Sequence, residues 1–429
     1  MKSKNNLLIS KGNSMYPLLL DKDIIMLSQS KTLHIDDIVV IEEKSYFLTH
    51  RIIYINKPDG YLLTKGDHNL LADPATKFNK VSGKVKKVIR AGKTLNIENL
   101  YLLQSAFYFE EIKKINSIFS KQKILFIFLK GLPAYLYYIK RPPQRIYADC
   151  DILINPHHLP EVDKIFTSLG YQKQTISHNP FLDLFLKNKA EVSYWKTLNN
   201  FRIVFDVHLE AVFFFVQTNN LTPLYSYNLV KEFSQQLLSQ KKAVSLDKQK
   251  YPLLTAENQI VYLALHLFHD NFRGYHKYLF LEQVINLSKF DEQNVVSIIK
   301  KYRLENFLYP VFILLKKYYQ PKFSKNFLKQ IAPKKEKQEL ISSLIKSINI
   351  FEDEKHILAG INRFKNIYTL SDSYPAIKPL VFLQPGIAAL IFFTLLKKIT
   401  LIVKFNYFRF FRLFWKSKSV RPSSKTKHQ

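Results

Sequence analysis

Cysteine is nearly absent: Cys150 is the only one in 429 residues, so no disulfide can form within the chain and nothing points to an oxidising compartment. Acidic residues are few, 34 against 64 Lys and Arg, for a net charge of +30. Such an excess favours polyanionic partners, namely nucleotides, RNA or an anionic membrane face. Glycine, at 10 residues, is also scarce, and the heavy use of Lys, Ile, Phe, Tyr and Asn leaves genomic base composition open as the source of the charge. The first residues, Met1 to Asn6, hold no apolar run of the length a signal peptide needs, so a cytoplasmic location is expected. Disorder is excluded by what is there, 47% hydrophobic and 14% aromatic residues, and a chain of this length is expected to form two or three domains.

The most informative stretch is 145–154, Arg-Ile-Tyr-Ala-Asp-Cys-Asp-Ile-Leu-Ile. Read as a strand, it turns Asp149 and Asp151 to one face and Cys150 and Ile152 to the other. Two carboxylates on one face of a buried strand need a cation or polar partners to offset their burial, and together they suit a divalent metal. The plainer alternative is a pair of surface aspartates on an edge strand. Upstream, Leu129-Lys130-Gly131 closes the apolar run 124–128, and downstream a short amphipathic helix over 159–169 stops at Gly170. Further on, 192–195 and 202–208 are strand-like, and the second carries Asp206, His208 and Glu210 at alternate positions. Asp206 would complete a carboxylate triad.

The ordered set Leu129-Lys130-Gly131, Arg145, Asp149-Cys150-Asp151 and Asp206-Val207-His208 resembles the nucleotidyltransferase superfamily, specifically its bacterial family of uncharacterised nucleotidyltransferases, over residues 104 to about 350. The resemblance implies Mg²⁺ or Mn²⁺ held by Asp149, Asp151 and Asp206, an NTP as substrate, and transfer of NMP to an acceptor, whether small molecule, peptide or RNA. Where the wider superfamily has Gly-Ser or Gly-Gly, this chain has Gly131-Leu132, so Lys130 and Arg145 are expected to supply the charge that binds phosphate at Gly131.

Residues 1–95 read as a small, mostly β domain, with apolar runs at 24–27, 38–41, 46–48, 52–55 and 61–63 between turn-forming residues. Four phrases in order, Gly12-Asn13-Ser14-Met15-Tyr16-Pro17, Asp36-Asp37-Ile38-Val39-Val40, Thr49-His50-Arg51-Ile52 and Thr64-Lys65-Gly66-Asp67-His68-Asn69, with Asp73 after them, resemble the signal-peptidase and LexA-like serine peptidases. That resemblance implies Ser14 as nucleophile, His50 as its base, Asp73 supporting the imidazole, and a peptide substrate. Too few residues precede Ser14 for the membrane anchor of such peptidases, which needs about 20 apolar residues. Anchoring from that side is therefore not expected.

Tyr108, Ile112, Ile115 and Phe119 form an apolar stripe at helical spacing, so 96–121 is expected to be a helix joining two domains in contact. From Thr255, a candidate N-cap, the pattern is helical through 296–319 and 325–350, with His266, His269 and His276 near Asp270 at spacings poor for structural zinc. They suit a substrate-facing or core helix. After Asp372 the chain has no acidic residue, and over 405–415 aromatics are interleaved with the basic residues Arg409 and Arg412. Residues 378–429 are therefore expected at an anionic membrane surface, with a buried helical subdomain and an RNA-binding face as alternatives.

The resulting expectation is a multidomain α+β protein: a β domain at 1–95, an α/β transferase core at 96–250, a helical subdomain at 251–372 and a basic aromatic tail at 373–429. The expected activity is metal-dependent nucleotidyl transfer beside a Ser/His peptidase-like site. Two other readings remain, a serine peptidase whose transferase fold only binds, and a non-enzymatic scaffold at the inner face of the membrane.

Overall fold

The computed structural model describes residues 7–28, 32–143, 145–174, 190–198, 201–211, 224–354 and 356–376. It is a multidomain α+β architecture: an N-terminal, mostly β region, a central α/β region and helices after it. The tail 378–429 lies outside the described residues. Among those described, no helix is long and apolar enough to cross a membrane.

The N-terminal sheet consists of β1 (Leu7–Ile9), β2 (Ile24–Ser28), β3 (Ile38–Glu42), β4 (Phe47–Asn56), β5 (Tyr61–Lys65), β6 (Thr76–Lys77), β7 (Val81–Arg90) and β8 (Lys93–Asn96). Its order is β1-β2-β7-β3-β4-β5-β6, with β8 on β7 and every pairing antiparallel. The two apolar runs expected as separate strands at 46–48 and 52–55 are one strand, β4, because the polar residues between them, His50 and Arg51, are themselves buried.

Helix α1 (Ile97–Lys121) follows directly. At 1.5 Å per residue its 25 residues extend about 37 Å, long enough to serve two cores. Ile97 and Tyr101 close the N-terminal core with Ile25, Val40 and Val88, while Tyr108, Ile112, Ile115 and Phe119, all fully buried, pack under the second sheet.

That second sheet has the order β11-β12-β13-β10-β9-β15-β14, built from β9 (Phe126–Phe128), β10 (Cys150–Ile154), β11 (Gln172–Gln174), β12 (Glu191–Leu198), β13 (Phe201–His208), β14 (Lys242–Leu246) and β15 (Gln249–Leu253). Strands β10 and β13 run parallel. On one face Cys150, Ile152, Val192, Tyr194, Phe205 and Val207 pack on α1 and α3 (Leu159–Ser168), the chain having first made α2 (Leu132–Ile139) after β9. The other face meets α4 (Tyr227–Ser239) and the helices that follow, α5 (Ala256–His269), α6 (Tyr275–Leu287), α7 (Glu292–Lys301) and α8 (Glu305–Tyr318), in one large core. Thr255 does cap α5, its hydroxyl accepting from the Asn258 N–H. The helical pattern expected over 296–319 is met by two helices, α7 and α8, with Arg303 between them at a left-handed φ of 51°.

The N-terminal sheet is docked on these helices. Ile53 belongs to their core, the Tyr54 ring lies 5.1 Å from Phe351, and Lys65 pairs with Asp353, whose N–H donates to the Leu70 carbonyl at 2.8 Å.

Candidate active site

Period-two alternation builds the site. Asp151 on β10 stands directly opposite Asp206 on β13, and β12 sets Ser193 opposite Asp206 and Glu191 opposite His208. One face of three adjacent strands thus presents Asp151, Asp206, His208, Glu191 and Ser193, while the other face is apolar. The strand itself starts later than the sequence pattern suggests. Residues 145–149 are not part of it, because the Gln104 side chain takes both backbone groups of Tyr147, donating to its carbonyl at 2.8 Å and accepting from its N–H at 3.2 Å. Asp149 sits just before β10, and its carboxylate still reaches the others: Asp149, Asp151 and Asp206 each offer an oxygen within 4.8 Å of the other two.

Each carboxylate has its own surroundings. Burial favours the neutral form of Asp151, but the Lys130 ammonium at 3.0 Å and His208 Nε2 at 2.9 Å outweigh it and hold the carboxyl well below the usual range. Lys130 also lies 3.3 Å from Asp149. Asp206 is pushed up to about 7 by burial and by the negative charge of Glu191, Asp151 and Asp149, against the Ser193 hydroxyl that donates to it at 2.6 Å. Carboxylates that repel one another this closely are a site a cation would relieve.

Gly131 opens α2 at φ 92°, and a Cβ there would meet the Asp149 carbonyl and Cys150 Cα at 3.4 Å, so the turn lies hard against the acidic strand. The Arg145 guanidinium stacks over the Tyr147 ring, 4.7 Å from its centre. Glu210, expected beside Asp206 and His208, is not among the cavity-lining residues: it lies beyond β13 and accepts from the Tyr227 hydroxyl.

All of the acidic groups except Glu210 open into one cavity of about 660 Å³. Lys130, Gly131 and Arg145 line it from the central region, His266, Asp270 and Lys277 from the helices, and Tyr16, Pro17, Arg51, Lys65 and Asp67 from the N-terminal region.

The N-terminal residues singled out in the sequence also meet. His50 Nε2 is 3.0 Å from Ser14 Oγ, and His50 Nδ1 is 2.6 Å from Asp73 Oδ2, which also accepts from the Thr64 hydroxyl at 2.7 Å. Gly66 is wedged against them, for a Cβ there would fall 2.7 Å from the Ser14 carbonyl and 2.9 Å from His50 Nε2. Arg51, the residue after His50, is held by both oxygens of Asp67 at 2.7 and 2.6 Å.

A family model described as uncharacterised nucleotidyltransferase matches residues 95–320. The chain belongs to that family. The match takes in Lys130, Gly131, Arg145 and the three aspartates, runs on past residue 250 through α8, and leaves Ser14, His50 and Asp73 outside it. No curated protein matches the chain. The hard oxygen donors of Asp149, Asp151 and Asp206 could hold a metal ion, with Lys130 as the group that shares their charge.

Five contributors escaped the sequence reading as parts of this site: Glu191 and Ser193 on β12, and the charged side chains of Arg51, Lys65 and Asp67 that line the cavity. None carries a spacing signal, since only strand pairing and docking bring them to Asp206.

Proposed function

We propose that the protein transfers a nucleoside monophosphate from an NTP to an acceptor at the Asp149, Asp151 and Asp206 cluster. The observation that carries this reading is the meeting of three carboxylates, from two strands and the turn before one of them, at the wall of a cavity with cationic groups around it. A Mg²⁺ or Mn²⁺ ion bound by them would polarise the α-phosphate and neutralise charge on the leaving pyrophosphate. Lys130 and Arg145 hold phosphate oxygens, and the close turn at Gly131 lets the backbone approach them. The docked N-terminal region lines one side of the cavity. Mass spectrometry of cell extract treated with the protein, Mg²⁺ and each NTP tests the reading. A species heavier by one NMP, with pyrophosphate released, is expected; no such species with any NTP would refute it.

A second activity is favoured by the hydrogen-bonded chain Ser14–His50–Asp73. In this reading His50 takes the Ser14 proton as the hydroxyl attacks a peptide carbonyl, and Asp73 steadies the imidazolium. A serine-directed acylating probe should label wild type and leave Ser14→Ala unlabelled. Labelling of both alike would remove Ser14 from the chemistry. The same reading takes residues 1–95, 96–250 and 251–372 as the working units of a cytoplasmic protein, with 378–429 at an anionic membrane surface.

A further inference from the structure

On the wall of the same cavity, the end of α5 carries a cluster that the transfer reading leaves unused. Asp270, the residue at which α5 stops, lies 2.9 Å from His266 Nδ1 one turn back and 3.8 Å from His269 Nδ1, and it pairs with Lys277. Burial favours the neutral acid, yet His266 and Lys277 hold the Asp270 carboxyl well below its usual range, so it stays anionic. A carboxylate at Nδ1 fixes the tautomer with the proton on that nitrogen, which leaves the lone pair on Nε2. His266 lines the cavity, and its Nε2 has no hydrogen-bond partner among the described residues.

We propose that His266, oriented by Asp270, is the general base that takes the proton from a hydroxyl-bearing acceptor during nucleotidyl transfer; this rests on the transferase reading above. The acceptor oxygen forms its bond to the α-phosphorus, the bond from that phosphorus to the oxygen bridging to the β-phosphate breaks, pyrophosphate leaves with the electron pair, and the acceptor proton passes to His266 Nε2. A hydroxyl needs such a base because it is a weak nucleophile until its proton is shared, whereas an amine attacks through a free lone pair. The groups that face the imidazole agree with the role. Burial, with repulsion from Lys130 and Lys277, keeps His266 below its ordinary range and hence neutral and ready, while Asp270 stabilises the charged form once it appears. Tyr262 and His269 pack on the ring without adding charge, since burial lowers His269 to about 3 and raises the Tyr262 hydroxyl far above 10. Asp206 is taken up by Ser193 and by the cation site.

The test uses the full chain with saturating Mg²⁺ and NTP and with cell extract as the acceptor source, reading pyrophosphate release against pH. His266→Ala should slow release by about 10²- to 10⁴-fold, bind a fluorescent NTP analogue with unchanged affinity, lose the acidic limb of the pH profile, and recover in part with added imidazole. Asp270→Asn, which favours the other tautomer, should slow release while nucleotide binding persists. His266→Ala that binds nucleotide and releases pyrophosphate at the wild-type rate would overturn the proposal alone. So would a loss that imidazole never restores with the acidic limb intact. Wild type that binds Mg²⁺ and NTP but releases no pyrophosphate would overturn the transferase reading, and this one with it.

Discussion

Replacing Lys130 with methionine removes the positive charge that balances two of the three aspartates while leaving a side chain of similar length. Asp151 is 3% exposed, and its partnership with Lys130 at 3.0 Å is a buried ion pair. Stripping one partner from such a pair costs about 3–5 kcal/mol, because the other charge stays buried. The contact with Asp149 adds little, since that carboxylate is 42% exposed and such pairs contribute about 0–1 kcal/mol. Lys130→Met should therefore lose about 3–5 kcal/mol in the transition that reports the central sheet, measured by urea unfolding in EDTA. Mg²⁺ should return a large part of it, about 2.7 kcal/mol at a hundredfold excess over Kd. Calorimetry should also show Mg²⁺ binding the variant more tightly than wild type, because an ammonium no longer competes for Asp151 Oδ2, although turnover falls with the loss of a phosphate ligand. A variant as stable as wild type in EDTA, with unchanged Mg²⁺ affinity, would show that the aspartates and Lys130 are not one cation site.

Gly66→Ala should abolish labelling by a serine-directed probe, since its Cβ would fall within 3 Å of both the Ser14 carbonyl and His50 Nε2; labelling at the wild-type rate would mean the two groups need not stay in contact. Asp206 gives a pH dependence with a definite sign. Its folded-state pKa of about 7 lies above the value near 3.9 of an exposed aspartate, so its contribution is present at low pH and lost as pH rises through 7 in metal-free protein. The thermal shift produced by Mg²⁺ should accordingly be larger at pH 8 than at pH 6, and equal shifts would mean Asp206 is not a ligand.

How much of this was legible in the sequence depended on whether a feature is local. The positions of Asp151 and Asp206 could be read because alternation along a strand is written in neighbouring residues, and the α1 stripe at Tyr108, Ile112, Ile115 and Phe119 because helical spacing is, whereas Asp149 reaches them from the turn before β10 rather than by alternation. Strand β4 was split in the reading since His50 and Arg51 look like a surface break. They are buried only because Asp73 and Asp67 arrive from elsewhere in the chain. The late start of β10 depends on Gln104, more than 40 residues upstream, and no local pattern reports it. His266, His269 and Asp270 were visible as a cluster, but zinc spacing was the wrong measure. What distinguishes His266 is a carboxylate on one ring nitrogen and the cavity at the other, and both follow from packing.

Transfer of label from α-labelled NTP, with Mg²⁺ and cell extract, by wild type and by the Asp149→Asn, Asp151→Asn double variant tests the central claim most directly. Wild type should produce a labelled acceptor and the double variant none, with circular dichroism confirming that the variant keeps its fold. Equal labelling by the folded double variant would contradict the assignment of these aspartates to the chemistry.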